Sequence, residues 1–336
     1  MTSRSESLWK RIGEESLWGR RGAIKVNPLW LPVAVLLYQK SSEGWRGSAV
    51  SSLQVFLTAI FWLSASILAN NLGDCRDDRS SGKPRWICDL PVSAGAAIVA
   101  LLIGGGLAVL LLANSPPAAI WVYVGATALG LAYSLKPIRL KAKGPWGIFI
   151  YSLACTCAYA VLPWAWLRGG RAALLVLSPA VLLDKWVNLH FHQVGDYEAD
   201  RAHGVQTLAV RLGVARARIW LKIAAAVASL WLALALVYSV SYLPKLIGYV
   251  CLGGSAVVLA ATVLAAFARP SLSSMSIFAR ELPAYYLALT FIVFRLLPLL
   301  LFYMLALQEK SLWPVFGVSL TLVLLETWNL WRPVNS

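Results

Sequence analysis

The chain has 336 residues, 59% of them hydrophobic and only 13% charged, and its mean hydropathy is +0.68. A soluble domain carries about 25% charged residues, so a soluble globular protein is excluded and a polytopic membrane protein is expected. The net charge of +15 does not call for nucleic acid, because the 30 Lys and Arg residues are scattered through short loops, as the positive-inside rule requires.

Residues 1–27 are polar and basic, with Leu8, Trp9, Leu17 and Trp18 interleaved among Arg4, Lys10, Arg11, Arg20, Arg21 and Lys25. This pattern predicts an arm lying on the membrane surface rather than a secretory signal. Apolar spans follow near 28–41, 51–73, 91–113, 117–135, 145–167, 171–193, 216–240, 243–267, 282–306 and 312–330, in one helical membrane domain. With the N-terminus cytoplasmic, this layout puts 21 Lys and Arg on the cytoplasmic side and 6 on the other. The five cysteines have no metal spacing. Cys155 and Cys157 are expected to pack within a span, Cys75 and Cys88 border a polar stretch, and no disulfide framework is expected.

One polar stretch occurs twice. Residues 73–82 and 195–204 both read G-D-x-x-x-D-R-x-x-G, each at the polar end of an apolar span. Asp74 and Asp78 lie four residues apart, as do Asp196 and Asp200, so each pair shares a helical face. The layout puts both on the cytoplasmic side. Two such pairs facing each other make an oxygen-rich site suited to Mg²⁺ and a phosphate-bearing ligand. By the same periodicity, Asp77 and Glu198 fall beside the pairs and are expected to be solvated or supporting.

These residues carry a resemblance. Asn70 to Asp78 resembles the N-D-x-x-D-x-x-x-D motif of the UbiA superfamily of intramembrane prenyltransferases, with Asn71 in place of the usual Asp. Residues 196–213 resemble its second motif, D-x-x-x-D followed by G-x-x-T-L-x-x-x-x-G, and residues 133–141 are similar to its Y-S-x-x-P-x-R-L-K segment. The resemblance covers residues 28–306. It implies an all-α bundle of nine core helices, here with a tenth in 307–336, around a central cavity opening to the cytoplasm. It implies Mg²⁺-dependent transfer of a prenyl group from a prenyl diphosphate to a hydrophobic or aromatic acceptor, as in lipoquinone synthesis, within the lipid bilayer. Asp74, Asp78, Asp196, Asp200 and Asn70 would hold the metal. Arg79, Lys83, Arg139 and Lys141 would clamp the diphosphate, unless the basic residues after Tyr133 are topology signals alone.

The segment 189–196 is similar to the H-x-N-N-x-R-D pattern of the menaquinone-type branch, but His192 and Gln193 stand at its two Asn positions and Gly195 at its Arg. His190 and His192, two apart, do not share a face, so at most one faces a cavity as an acceptor contact. Asp184, Lys185 and Arg295 are ionisable residues inside spans. Lys185 or Arg295 would bind a carboxylated acceptor, or Arg295 would pair with Asp184. Adjacent residues point apart, so Asp184 and Lys185 are expected to meet different partners. The rival readings are a terpene cyclase on the same scaffold, a transporter and a scaffold protein. A transporter is disfavoured because its repeats would be inverted.

Overall fold

Apolar runs in lipid must satisfy their own backbone groups, and helices do so within one segment. A computed structural model describes residues 22–42, 49–80, 85–268 and 282–331, and it is built from helices. Ten long helices follow the ten apolar segments: α1 (Gly22–Ser42), α2 (Ala49–Gly73), α4 (Val92–Leu112), α5 (Pro117–Ser134), α6 (Pro145–Leu167), α7 (Arg171–Gly195), α10 (Val214–Val240), α11 (Lys245–Ala268), α12 (Ala284–Gln308) and α13 (Trp313–Trp331). Among the described residues, three short helices accompany them: α3 (Cys75–Ser80), α8 (Tyr197–Ala202) and α9 (Leu208–Leu212). Among the described residues, eight helices are long and apolar enough to cross a membrane; α1 and α13 are not among those eight. The amphipathic arm expected at residues 1–27 lies outside the described residues as far as residue 21, and residues 22–27 continue into α1.

The helices pack in the succession α2, α5, α6, α7, α10, α12, with α4 against α2, α11 against α12, and α13 touching both α12 and α2. Helix α1 touches α2, α6, α7, α12 and α13. Its residues from Leu29 to Gln39 are all buried, as expected of a helix apolar on every side. There Trp30 stacks on Phe56 at 4.4 Å and meets Phe302 edge-on at 5.5 Å. Outward faces of α4, α10 and α11 expose Leu112, Leu230 and Leu246 almost fully. Such surface would aggregate in water but suits lipid.

Helices α6 and α12 each contain a π-helical turn, Cys157–Val161 and Ile292–Leu296. Each turn ends two residues before a proline, Pro163 and Pro298. Proline removes a backbone donor and crowds the preceding turn, and widening that turn by one residue accommodates it.

Helices α2 and α7 end in the same way. A single residue, Asp74 or Asp196, separates the long helix from a six-residue helix, α3 or α8. Gly73 makes the first of these ends possible, because a Cβ there would lie 2.7 Å from the backbone oxygen of Ser134 at the end of α5. Backbone cannot yield as a side-chain tip can. Gly73→Val is therefore expected to lower stability by about 1–3 kcal/mol, read as a fall in melting temperature in detergent, whereas Gly195→Ala, where the space is open, should change it little.

Candidate active site

Both D-x-x-x-D stretches form one helical turn. Asp78 N–H donates to Asp74 O at 2.8 Å, and Asp200 N–H donates to Asp196 O at 2.9 Å. The turns face a common cavity of about 260 Å³ at one end of the bundle, lined by Asn70, Asp74, Asp77, Asp78, Asp196 and Asp200 and, among others, by Arg85, Arg139, Lys141, His192 and Gln193. The pairs inferred from spacing alone are thus brought together.

The first turn is engaged by the loop after α5. Arg139 Nη2 donates to Asp74 Oδ1 at 3.0 Å and to Asp77 Oδ2 at 2.5 Å. One nitrogen makes both contacts, and Arg139 Nε is buried with no partner. Lys141 Nζ contacts Asp74 Oδ2 and, at 3.2 Å, Asn70 Oδ1. Arg139 itself adopts a left-handed backbone conformation, with φ 38°, which is uncommon for a residue with a side chain. The hydrogen bond from Arg139 holds the Asp77 carboxyl below its ordinary pKa against the opposing effect of burial.

The same loop is joined to the second turn. Gly144 N–H donates to Gln206 O at 2.8 Å, and Gly144 bridges to Thr207. Gly144 has φ 65°, a left-handed backbone conformation that favours glycine, and a Cβ there would also lie 2.7 Å from the movable end of the Arg211 side chain. Val205 N–H then donates to Asp200 O at 2.8 Å. Thr207 Oγ1 caps α9 by accepting from Val210 N–H at 3.4 Å.

Several expectations are corrected. Of the two roles expected for Asp77, the supporting one is seen: it accepts from Arg139 and, three residues on from Asp74, shares its face and lines the cavity, its side chain 35% exposed. Arg79 is turned away. It pairs with Asp89 at 3.5 Å, contacts Cys88 O and is 59% exposed, while Arg85 takes Asp78 at 3.1 Å. Lys83 lies outside the described residues. Of the two histidines, His192 lines the cavity; His190 is 1% exposed and its Nε2 meets Ala217 O on α10 at 3.0 Å, away from it.

Lys185 and Asp184 are both buried and outside the cavity lining, and they pair with each other at 3.5 Å. The long Lys stem reaches back across the helix, which the adjacent-residue argument overlooked. Lys185 also lies over the Tyr159 ring at 5.6 Å, and Tyr286 donates to Asp184 Oδ1 at 2.9 Å. Arg295 sits in the second π-helical turn, donates to Thr290 O at 3.3 Å and does not line the cavity. Finally, Cys75 and Cys88 form a disulfide. The chain returns from α3 through the 3₁₀ turn Trp86–Asp89 onto α2, a contact that cysteine spacing does not encode.

Five carboxylates face three fixed cations around the cavity, a local excess of negative charge in a strongly basic protein. Among the described residues, no three carboxylates and histidines converge to hold a cation by themselves. Mg²⁺ seldom uses a closed protein cage; it takes one or two carboxylates and completes its shell with water and substrate phosphate. The hard oxygen donors, the negative excess and a buried Gln193 Oε1 with no partner fit such an ion.

The model of the UbiA prenyltransferase family matches residues 29–274. The chain is 35% identical over 99 residues to the bacteriochlorophyll synthase 33 kDa chain of Cereibacter sphaeroides, covering 26% of this chain and 32% of that one. It is 29% identical over 210 residues to the lycopene elongase/hydratase of Halobacterium salinarum, covering 59% and 74% respectively. The fold is similar to that of a UbiA homologue from Archaeoglobus fulgidus, solved bound to GPP and Mg²⁺, with a TM-score of 0.52 at 18% identity over 92% of this chain and 99% of that one. The chain is a multi-pass helical membrane protein that belongs to the UbiA prenyltransferase family.

Proposed function

We propose that the protein transfers a prenyl group from a prenyl diphosphate to a lipophilic or aromatic acceptor within the membrane, in a reaction that needs a divalent cation. The observation that carries this is the pair of D-x-x-x-D turns around one cavity, with a basic loop reaching across it. Asp74, Asp78, Asp196, Asp200 and Asn70 would hold Mg²⁺, which when bound offsets the charge of the leaving diphosphate. Arg139 and Lys141 bind the remaining phosphate oxygens, and the Arg139 fork retains donors for them beyond the one spent on Asp74 and Asp77. Asp77 keeps that fork oriented. Below the mouth, Tyr133 lines the cavity and Tyr151 lies against it at 5.4 Å. Their rings give an apolar wall that excludes water from an allylic cation and stabilises its charge. His192, which also lines the cavity, is the acceptor contact.

A lipophilic acceptor is supported by the relatives, whose names point to chlorophyll-type pigment and to a carotenoid. A lipoquinone precursor fits the same wall. The tyrosine pair would serve a cyclase equally well. Incubating the protein with Mg²⁺ and prenyl diphosphate alone separates the two, because only a cyclase would make a cyclic hydrocarbon without acceptor.

Asp74→Ala or Asp196→Ala is expected to abolish diphosphate release while the protein stays folded in detergent, and excess chelator should silence the parent protein. Wild-type turnover in either variant would refute the metal role.

Arg139→Lys keeps the charge and loses the fork. Its kcat/KM for prenyl diphosphate should fall about tenfold or more, from the roughly 1.5–3 kcal/mol of a charge-assisted hydrogen bond. Unchanged constants would leave Arg139 as a tie between Asp74 and Asp77 and not a diphosphate ligand.

The charge bias supports a cavity mouth on the cytoplasmic side. In a background without other reactive cysteines, Asp89→Cys and Ala202→Cys should both label from the cytoplasm, and Gly170→Cys from the opposite face. Labelling of Asp89→Cys and Ala202→Cys from different faces would contradict the shared site.

A further inference from the structure

Gln193 is not part of either acidic pair, yet its setting is unusual. Its side chain is 5% exposed, it lines the cavity, and its Oε1 is buried with no hydrogen-bond partner. A buried amide oxygen without a partner is unfavourable. Leu189, His192, Gln193 and Asp196 occupy positions i, i+3, i+4 and i+7, the single stripe that α7 turns to the cavity. Gln193 thus lies one turn below Asp196 on that stripe.

The duplication supplies the second argument. Gln193 stands three residues before Asp196, and Asn71 stands three before Asp74. Both are 5% exposed, but only Gln193 is part of the cavity lining. On α2 it is Asn70, four residues before Asp74, that turns to the cavity, and on α7 it is Gln193, three before Asp196. A half-turn of the amide exchanges oxygen and nitrogen within the same volume, so the oxygen can be presented to the cavity without moving a neighbour.

We propose that Gln193 is a neutral ligand of the second acidic turn, its amide oxygen binding the divalent cation that Asp196 holds. The inference rests on the proposed metal-dependent reading of the site and adds a residue to it. The amide adds an oxygen donor without adding charge, so it tightens the grip on the cation without raising repulsion among five carboxylates.

The test uses the full-length protein in detergent, with Mn²⁺ and inorganic pyrophosphate as probes, Mn²⁺ binding read by electron paramagnetic resonance and stability by thermal unfolding. Gln193→Leu should weaken Mn²⁺ binding about tenfold without lowering the melting temperature, since it replaces an unpartnered buried amide by an apolar group of similar volume. Gln193→Glu should tighten Mn²⁺ binding. If Gln193→Leu binds Mn²⁺ like the parent while Asp196→Asn loses it, the inference is overturned and the metal reading survives. If the parent binds no Mn²⁺ with pyrophosphate, the metal reading itself falls, and this inference with it. Should Gln193→Leu fail to fold, Gln193→Glu decides, because unchanged or weaker binding there overturns the proposal.

Discussion

Arg139 stands between Asp74 and Asp77, and the geometry of the cavity depends on that contact. Carboxylates at a membrane border repel one another, and the low dielectric of the surroundings strengthens the repulsion. Without a cation among them, Asp74, Asp77 and Asp78 would spread toward water. Arg139, Lys141 and Arg85 hold them in place. The same cations have the chemistry to bind a diphosphate. Holding the site together and binding its ligand are therefore done by one set of side chains. The left-handed backbone at Arg139 belongs to this arrangement, since strained conformations persist where surrounding contacts fix them and cluster at functional sites.

A second polar cluster does different work. Asp184, Lys185, Tyr159 and Tyr286 are all buried within the bundle. They tie α7 to α6 and α12 through an ion pair, a cation over a ring and a hydroxyl on a carboxylate. Tyr159 lies in the π-helical turn of α6, and Tyr286 precedes the one in α12. A charge buried without its partner would be strongly unfavourable, so the cluster fixes how the three helices meet. It is a latch below the cavity rather than part of its lining.

The helices were legible in the sequence because a run of apolar residues long enough to span lipid has few alternatives. The acidic turns were legible because four-residue spacing is local: Asp74 with Asp78 and Asp196 with Asp200 need only one turn of helix to align. Contacts that depend on how the chain returns were not legible. Arg85 reaching Asp78, Cys75 meeting Cys88, and Asp77 serving Arg139 across 62 positions leave no periodic trace. Arg79 misled for a related reason. It follows the motif directly, but a residue five on from Asp74 has turned well away from the face that Asp74 presents. Gln193 was visible only as a departure from a branch pattern, and its significance required seeing that its oxygen has no partner.

The two acidic turns are alike in backbone and unlike in company. The loop that supplies Arg139 and Lys141 to the first is fastened to the second through Gly144, Gln206 and Thr207, and Val205 carries the connection to the Asp200 carbonyl. The two turns are therefore joined through backbone hydrogen bonds, with no need for their carboxylates to touch, and the loop from Arg139 to Gly144 is the element with contacts at both. Gly144 supplies the left-handed backbone, φ 65°, at which that loop passes from one turn to the other.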